Sequence, residues 1–214
     1  MTIPAEAFQP IIDELHRKPL SDNKYRLIAG HGKSQTFGVV NRRSLPADYS
    51  RLCWLRPYLY KLLLEFGDKY VTVPYTSITV NQNYRAKAHK DKGNVGPSFL
   101  VAFGDYTGGD LKLWESDEEL TVDVRQPLVR DFSQVLHEVA EFQGERFSLV
   151  YYTLEPRHFK NQLPLVLPPP SVIPWGNKWA FKRGDVVIKN GLPHPLKGRK
   201  IVAKSVEPVT VNFV

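Results

Sequence analysis

Hydrophobic and polar positions change period as the chain is read from its N-terminus. Residues 5–18 carry Phe8, Ile11, Ile12 and Leu15 at helical spacing, which predicts a helix with Pro10 as a local irregularity. A short strand is expected near Thr36–Val40, after a loop that contains Gly30 and Gly32. Residues 47–66 set Leu52, Leu55, Leu59, Leu62 and Leu63 along one helical face and read as the main helix. Pro57 should kink or interrupt it, and Gly67 should end it as a left-handed cap. From Val71 the period becomes that of strands, with alternating or apolar runs at 77–84, 98–106, 110–116, 119–124, 130–142 and 146–154. Short β segments separated by turn residues indicate a sandwich or jelly roll, with the helices gathered against one face.

Beyond Pro156 the texture shifts. Six prolines fall between Pro156 and Pro174, a spacing suited to an extended crossing segment. Asn190–Gly191 marks a hairpin turn, and residues 209–214 are a last strand candidate. The expectation is one domain: a helical support at 1–70, a β core at 71–156 and a Pro-rich basic extension at 157–214.

Composition adds three constraints. No run approaches the roughly 18–20 apolar residues that a membrane helix needs, and the N-terminus lacks the basic region of a secretory signal. The single cysteine, Cys53, excludes an intramolecular disulfide and points to a reducing, intracellular setting. The net charge of +7 is uneven: Arg157–Lys204 holds ten Lys/Arg and one acid, Asp185. That asymmetry suits a polyanionic partner, although a solvated basic surface accounts for it equally well.

Candidate chemistry begins at His89–Lys90–Asp91, just after a predicted strand. In extended backbone, residues i and i+2 point the same way, so His89 and Asp91 can approach one metal ion from one side. His137, in a strand-like segment, is the third candidate. Two imidazoles and a carboxylate on one face form the facial triad that holds non-haem Fe(II) and leaves coordination positions open. Arg146 and Ser148 are again i and i+2, so a guanidinium fork and a hydroxyl can project together and grip a carboxylate. Each residue has a plainer alternative. His137 could be a strand histidine bonded to a carbonyl, and Arg146 a snorkelling surface charge.

The ordered string His89-x-Asp91, Gly108–Gly109–Asp110–Leu111, His137, Arg146-x-Ser148 resembles the 2-oxoglutarate/Fe(II)-dependent dioxygenase superfamily over residues 76–154. That resemblance implies an α+β, mainly β fold: a double-stranded β-helix, cupin-like, with iron at one open end. It implies Fe(II) held by His89, Asp91 and His137, and 2-oxoglutarate bound through Arg146 and Ser148. O2 would be the cosubstrate, and a substrate C–H bond would be hydroxylated. Tyr84, five residues before His89, is a further candidate for the 2-oxoglutarate pocket, with core packing as its alternative.

Within that superfamily, residues 80–84 and 89–111 resemble the TET/JBP branch, which oxidises the 5-methyl group of pyrimidines in nucleic acid. In that branch an asparagine three residues after the iron aspartate contacts the flipped base, and Asn94 holds that place here. An amide suits the mixed donor–acceptor edge of a pyrimidine; a turn asparagine is the alternative. Lys178, Lys182 and Arg183, interleaved with Trp175, Trp179 and Phe181, would contact the nucleic-acid backbone and bases, unless the aromatics pack the tail onto the barrel. The chain lacks the long insertions and cysteine-rich region of the animal enzymes, so the resemblance is to compact homologues. The expected substrate is therefore 5-methylcytosine or thymine in DNA, the expected state a monomer, and the expected location nuclear in a eukaryote or the host cell for a virus. A prolyl or other protein-side-chain hydroxylase is the rival, and a catalytically silent nucleic-acid-binding module is the alternative from another class.

Overall fold

The computed structural model describes residues 2–21, 30–41, 47–115, 118–154, 188–189 and 192–193. A 3-10 turn, Ala5–Ala7, leads into α1 (Gln9–Arg17). Pro10 sits in its first turn, where the backbone N–H has no intrahelical partner to lose, so the proline starts the helix instead of disturbing it. Strands β1 (Gly30–Val40) and β2 (Asp48–Tyr49) follow. Gly30 and Gly32 lie inside β1, not in a loop before it.

At Pro57 the long helix is interrupted, not kinked. α2 (Leu52–Leu55) stops at Arg56, whose backbone (φ −134°, ψ 58°) leaves the helical region that a following proline disfavours, and α3 (Pro57–Tyr70) starts on that proline. Gly67 is not the cap either. It lies inside α3, where a Cβ would stand 2.4 Å from the Tyr75 hydroxyl and 3.0 Å from the Tyr151 ring. The glycine is there for close packing.

Nine further strands complete the β core: β3 (Ser77–Ala86), β4 (Ser98–Phe103), β5 (Tyr106–Gly108), β6 (Leu111–Glu115), β7 (Glu118–Val122), β8 (Leu128–Arg130), β9 (Leu136–Val139), β10 (Phe142–Gly144) and β11 (Phe147–Tyr152). The major sheet runs β2-β1-β3-β11-β4-β8, antiparallel throughout. Pairs β10-β5 and the triplet β7-β6-β9 make the minor layer. The fold is a double-stranded β-helix, mainly β, with the helices packed on the outer face of the major sheet. Ile188–Lys189 pairs antiparallel with Leu192–Pro193, as the hairpin reading expects. Lys178, Lys182, Arg183 and the strand candidate at 209–214 lie outside the described residues. Among the described residues, no helix is long and apolar enough to cross a membrane.

Alternation divides β11 between two environments. Phe147, Leu149 and Tyr151 enter the core with Ile11, Leu59 and Leu63 from the helices. Burying each such side chain contributes on the order of 1.5–3 kcal/mol. Ser148, Val150 and Tyr152 face the other way, into a cavity between the two layers.

On β3 the alternation is broken once. Between His31 and Lys33 of β1 the partners on β3 jump from Arg85 to Gln82, so β3 holds one extra residue. Asn83 takes it up at φ 50°, its N–H donating to the Arg146 carbonyl (2.7 Å) and its Oδ1 accepting from the Arg146 N–H (2.8 Å). Ile78 and Val80 therefore face the helices, whereas Tyr84 and Ala86 face the cavity. Strict alternation would have put Tyr84 with Ile78.

Candidate metal centre

His89 and His137 meet through the backbone. Each donates its N–H to the other's carbonyl at 3.0 Å, an isolated antiparallel bridge that brings the two rings to 4.3 Å. Asp91 is anchored next to them by its own N–H, which donates to the Phe132 carbonyl at 2.9 Å. One ligand atom from each of His89, Asp91 and His137 lies within 4.8 Å of the others. His89 Nε2 and Asp91 Oδ1 are 3.3 Å apart, near the ~3 Å between adjacent donors that each sit about 2.1 Å from one cation.

The tautomers are set by what the other ring nitrogens face. His89 Nδ1 is 2.7 Å from the Lys87 carbonyl and His137 Nδ1 is 3.0 Å from the Val135 carbonyl. A carbonyl only accepts, so both Nδ1 atoms carry the proton and both Nε2 atoms keep a lone pair for a metal. Burial lowers the His137 pKa, with the Val135 hydrogen bond acting against it, so the imidazole stays neutral. The donor set fits a divalent transition metal that prefers nitrogen and oxygen.

All seven of the described residues singled out from the sequence line one cavity of about 420 Å³: Tyr84, His89, Asp91, Asn94, His137, Arg146 and Ser148. That volume is usual for a small-molecule site. Arg146 is only 2 % exposed and is the largest fully buried side chain among the described residues. Its guanidinium lies beside the Tyr106 and Phe142 rings, 5.4 and 5.6 Å from their centroids. Burial pulls its pKa down and Tyr106 pushes it back up, yet an arginine stays charged. Among the described residues no carboxylate is in direct contact with it, although Asp110 acts on it from further off, and its Nε has no hydrogen-bond partner. A buried cation without a contacting counter-ion is costly unless an anion arrives. Gly109 makes the room: a Cβ there would stand 2.9 Å from the Arg146 Nε.

Three neighbours went unnoticed in the sequence. Asn81 donates its amide to the Ser148 hydroxyl at 3.1 Å, and Phe132 sets its ring 4.7 Å from His137. Tyr106 flanks Arg146. Only Asn81 carried a usable signal, being two residues after Thr79 on an alternating strand. Asn94 is present but already engaged: its Nδ2 donates to Asp91 Oδ2 at 3.0 Å.

No family model matches the chain, and no curated protein does. Among solved structures it is similar to NgTET1 in complex with 5mC DNA, at a TM-score of 0.50 and 18% identity over 73% of this chain and 69% of that one. That likeness is one of fold. A Pseudomonas putida prolyl-4-hydroxylase aligns at a TM-score of 0.44 and 16% identity, over 70% of this chain and 86% of that one. A Trichoplax adhaerens prolyl hydroxylase in complex with a hypoxia inducible factor peptide fragment gives 0.44 and 15%, over 72% and 78%. In this fold the cavity lies between the two β layers. The His89–His137 bridge forms one wall of it, and the inner face of β11 forms another.

Proposed function

We propose that the protein is an Fe(II)/2-oxoglutarate-dependent oxygenase that hydroxylates the 5-methyl group of a pyrimidine in nucleic acid. The observation that carries the oxygenase reading is Arg146: a buried guanidinium without a carboxylate partner, sharing one cavity with three neutral-or-anionic metal donors. A dicarboxylate answers both needs, one end on Arg146 and the other at the metal. His89, Asp91 and His137 would hold Fe(II), which when bound supplies activation of O2. The overall balance is R–CH3 + 2-oxoglutarate + O2 → R–CH2OH + succinate + CO2.

The chain's own residues do the rest. Arg146 presents parallel N–H donors to the distal carboxylate, and Ser148, oriented by Asn81, adds a hydroxyl. Tyr84 closes the pocket on the β3 side. Leu100, Leu111 and Val139 line the cavity with apolar surface, which limits water around the reacting carbon.

Three features favour nucleic acid. Lys90 and Lys92, on either side of Asp91, are exposed and line the cavity mouth, where they suit phosphate. Asn94 offers an amide oxygen and a second N–H beyond the one it gives to Asp91, a pattern that fits a pyrimidine edge. NgTET1, solved with 5mC DNA, has the same fold. A base inside a duplex cannot reach such a cavity, so the target is single-stranded or flipped out. Mass spectrometry of nucleosides from methylated DNA, after incubation with the protein, Fe(II) and 2-oxoglutarate, tests the reading. Hydroxymethylated pyrimidine with matching succinate is expected. Unchanged 5-methylcytosine and thymine, together with hydroxylation of a peptide library, would replace it with a protein hydroxylase.

A further inference from the structure

Asp91 uses its two carboxylate oxygens differently. Oδ1 is 3.3 Å from His89 Nε2, within the donor cluster, while Oδ2 accepts the Asn94 amide at 3.0 Å. A carboxylate only accepts, so it is the NH2 end of Asn94 that faces it. Asn94 is itself fixed. Its backbone N–H donates to the Asp91 carbonyl at 3.0 Å, it forms an isolated antiparallel bridge with Leu154, and the next N–H, of Val95, donates to the Thr153 carbonyl at 2.9 Å. Residues Thr153 and Leu154, just after β11, thus hold the asparagine that holds the aspartate. No other hydrogen bond to the Asp91 carboxylate occurs among the described residues.

The terminal torsion of an aspartate is soft and roughly two-fold, so backbone anchoring alone leaves the carboxylate plane free to turn. A freely turning carboxylate can offer both oxygens to one cation. A facial triad needs one oxygen only, because the opposite positions must stay open for cosubstrate and O2. A neutral amide is suited to the task, since it restrains Oδ2 without adding charge.

We propose that Asn94 is a positioning residue for Asp91, locking the carboxylate so that Oδ1 alone meets the metal. The inference rests on the reading of His89, Asp91 and His137 as ligands. It sets the first role of Asn94 at the metal, with any substrate contact left to the remaining polar atoms of its amide.

The test uses the full chain stripped of metal by a chelator and titrated with Co(II), followed by calorimetry and by visible absorption. Asn94→Ala and the near-isosteric Asn94→Leu should weaken Co(II) binding about 10- to 100-fold, the range for loss of an outer hydrogen bond to a ligand. Their Co(II) absorption bands should change, while the melting temperature of the metal-free protein stays that of wild type. Asp91→Ala is the control. If Asp91→Ala weakens binding and both Asn94 variants match wild type in affinity and spectrum, the positioning role is wrong and the ligand assignment stands. If wild type binds no Co(II), or Asp91→Ala binds it equally well, the ligand assignment fails and this inference with it. Loss of the metal-free fold in both Asn94 variants would also overturn it, making Asn94 a folding residue.

Discussion

His89 and His137 exchange two backbone hydrogen bonds of 3.0 Å, so two distant stretches of chain deliver their imidazoles to one point without help from the side chains. The pairing belongs to the peptide groups and survives truncation at Cβ. His89→Ala, Asp91→Ala and His137→Ala should therefore abolish 2-oxoglutarate-dependent succinate release while the metal-free protein melts within a few degrees of wild type. A shift of roughly 2–4 °C corresponds to about 1 kcal/mol at this chain length. Sustained turnover by His137→Ala would remove it from the ligand set.

Arg146 predicts a different failure. Arg146→Lys keeps a charge but loses the fork, and Arg146→Ala loses both. A charge-assisted hydrogen bond contributes about 1.5–3 kcal/mol, which converts to a rise of about 10- to 100-fold in KM for 2-oxoglutarate in the alanine variant. Co(II) affinity should not move, because the metal ligands are untouched. An unchanged KM would leave Arg146 as a buried structural cation.

Gly109 connects the turn before β6 to the same pocket. It holds φ +75°, and an added Cβ would sit 2.9 Å from the Arg146 Nε and 3.0 Å from its Cδ. Gly109→Ala is expected to displace the guanidinium and raise KM for 2-oxoglutarate at normal Co(II) affinity. A variant that loses only thermal stability would show that the arginine relaxes without consequence.

The i, i+2 pairs were legible because they rest on strand geometry alone: His89 with Asp91, and Arg146 with Ser148. The cavity that unites them was expected from the resemblance and not from local geometry, because it depends on which strands pair. Tyr84 illustrates the limit. Its inward direction comes from the extra residue at Asn83, and a left-handed asparagine reads in sequence like any other polar strand position. At 47–66 leucine periodicity runs straight through Pro57, so a kink and an interruption read alike in sequence. The interruption forms, because a proline fits the first turn of a new helix better than the middle of an old one. Asn94 was visible as a base contact or as a turn asparagine, but not as a partner of the Asp91 carboxylate, since that hydrogen bond requires the turn between them to close.

Gly67 sets helix propensity against packing. Alanine is favoured over glycine by about 1 kcal/mol inside a helix. Here its Cβ would press on the Tyr75 hydroxyl and the fully buried Tyr151 ring, and overpacking costs about 1–3 kcal/mol. Packing wins, so Gly67→Ala should lower the melting temperature. A rise would mean that the Tyr75 ring moves aside at little cost.

Cys53 links burial to alkaline stability. The thiol is 5% exposed, its sulfur accepts the Gly38 N–H at 3.1 Å, and burial pushes its pKa up from an ordinary 9.0 to about 12, the Gly38 and Tyr60 hydrogen bonds only partly opposing. Folding thus favours the neutral thiol. Below pH ~9 both folded and unfolded chains keep the proton, and this contribution to stability is complete. Between pH 9 and about 12 the unfolded chain ionises and the folded one does not, so stability falls by up to about 1.4 kcal/mol per pH unit from this group. Tyr75, raised to about 12 chiefly by burial and further by Asp68, acts in the same direction. Melting temperature should accordingly hold from pH 7 to 9 and drop beyond it. A thiol reagent at pH 8 should modify the native protein far more slowly than the protein in denaturant. Rapid native labelling, with a flat melting temperature to pH 10.5, would place Cys53 in a site open to solvent.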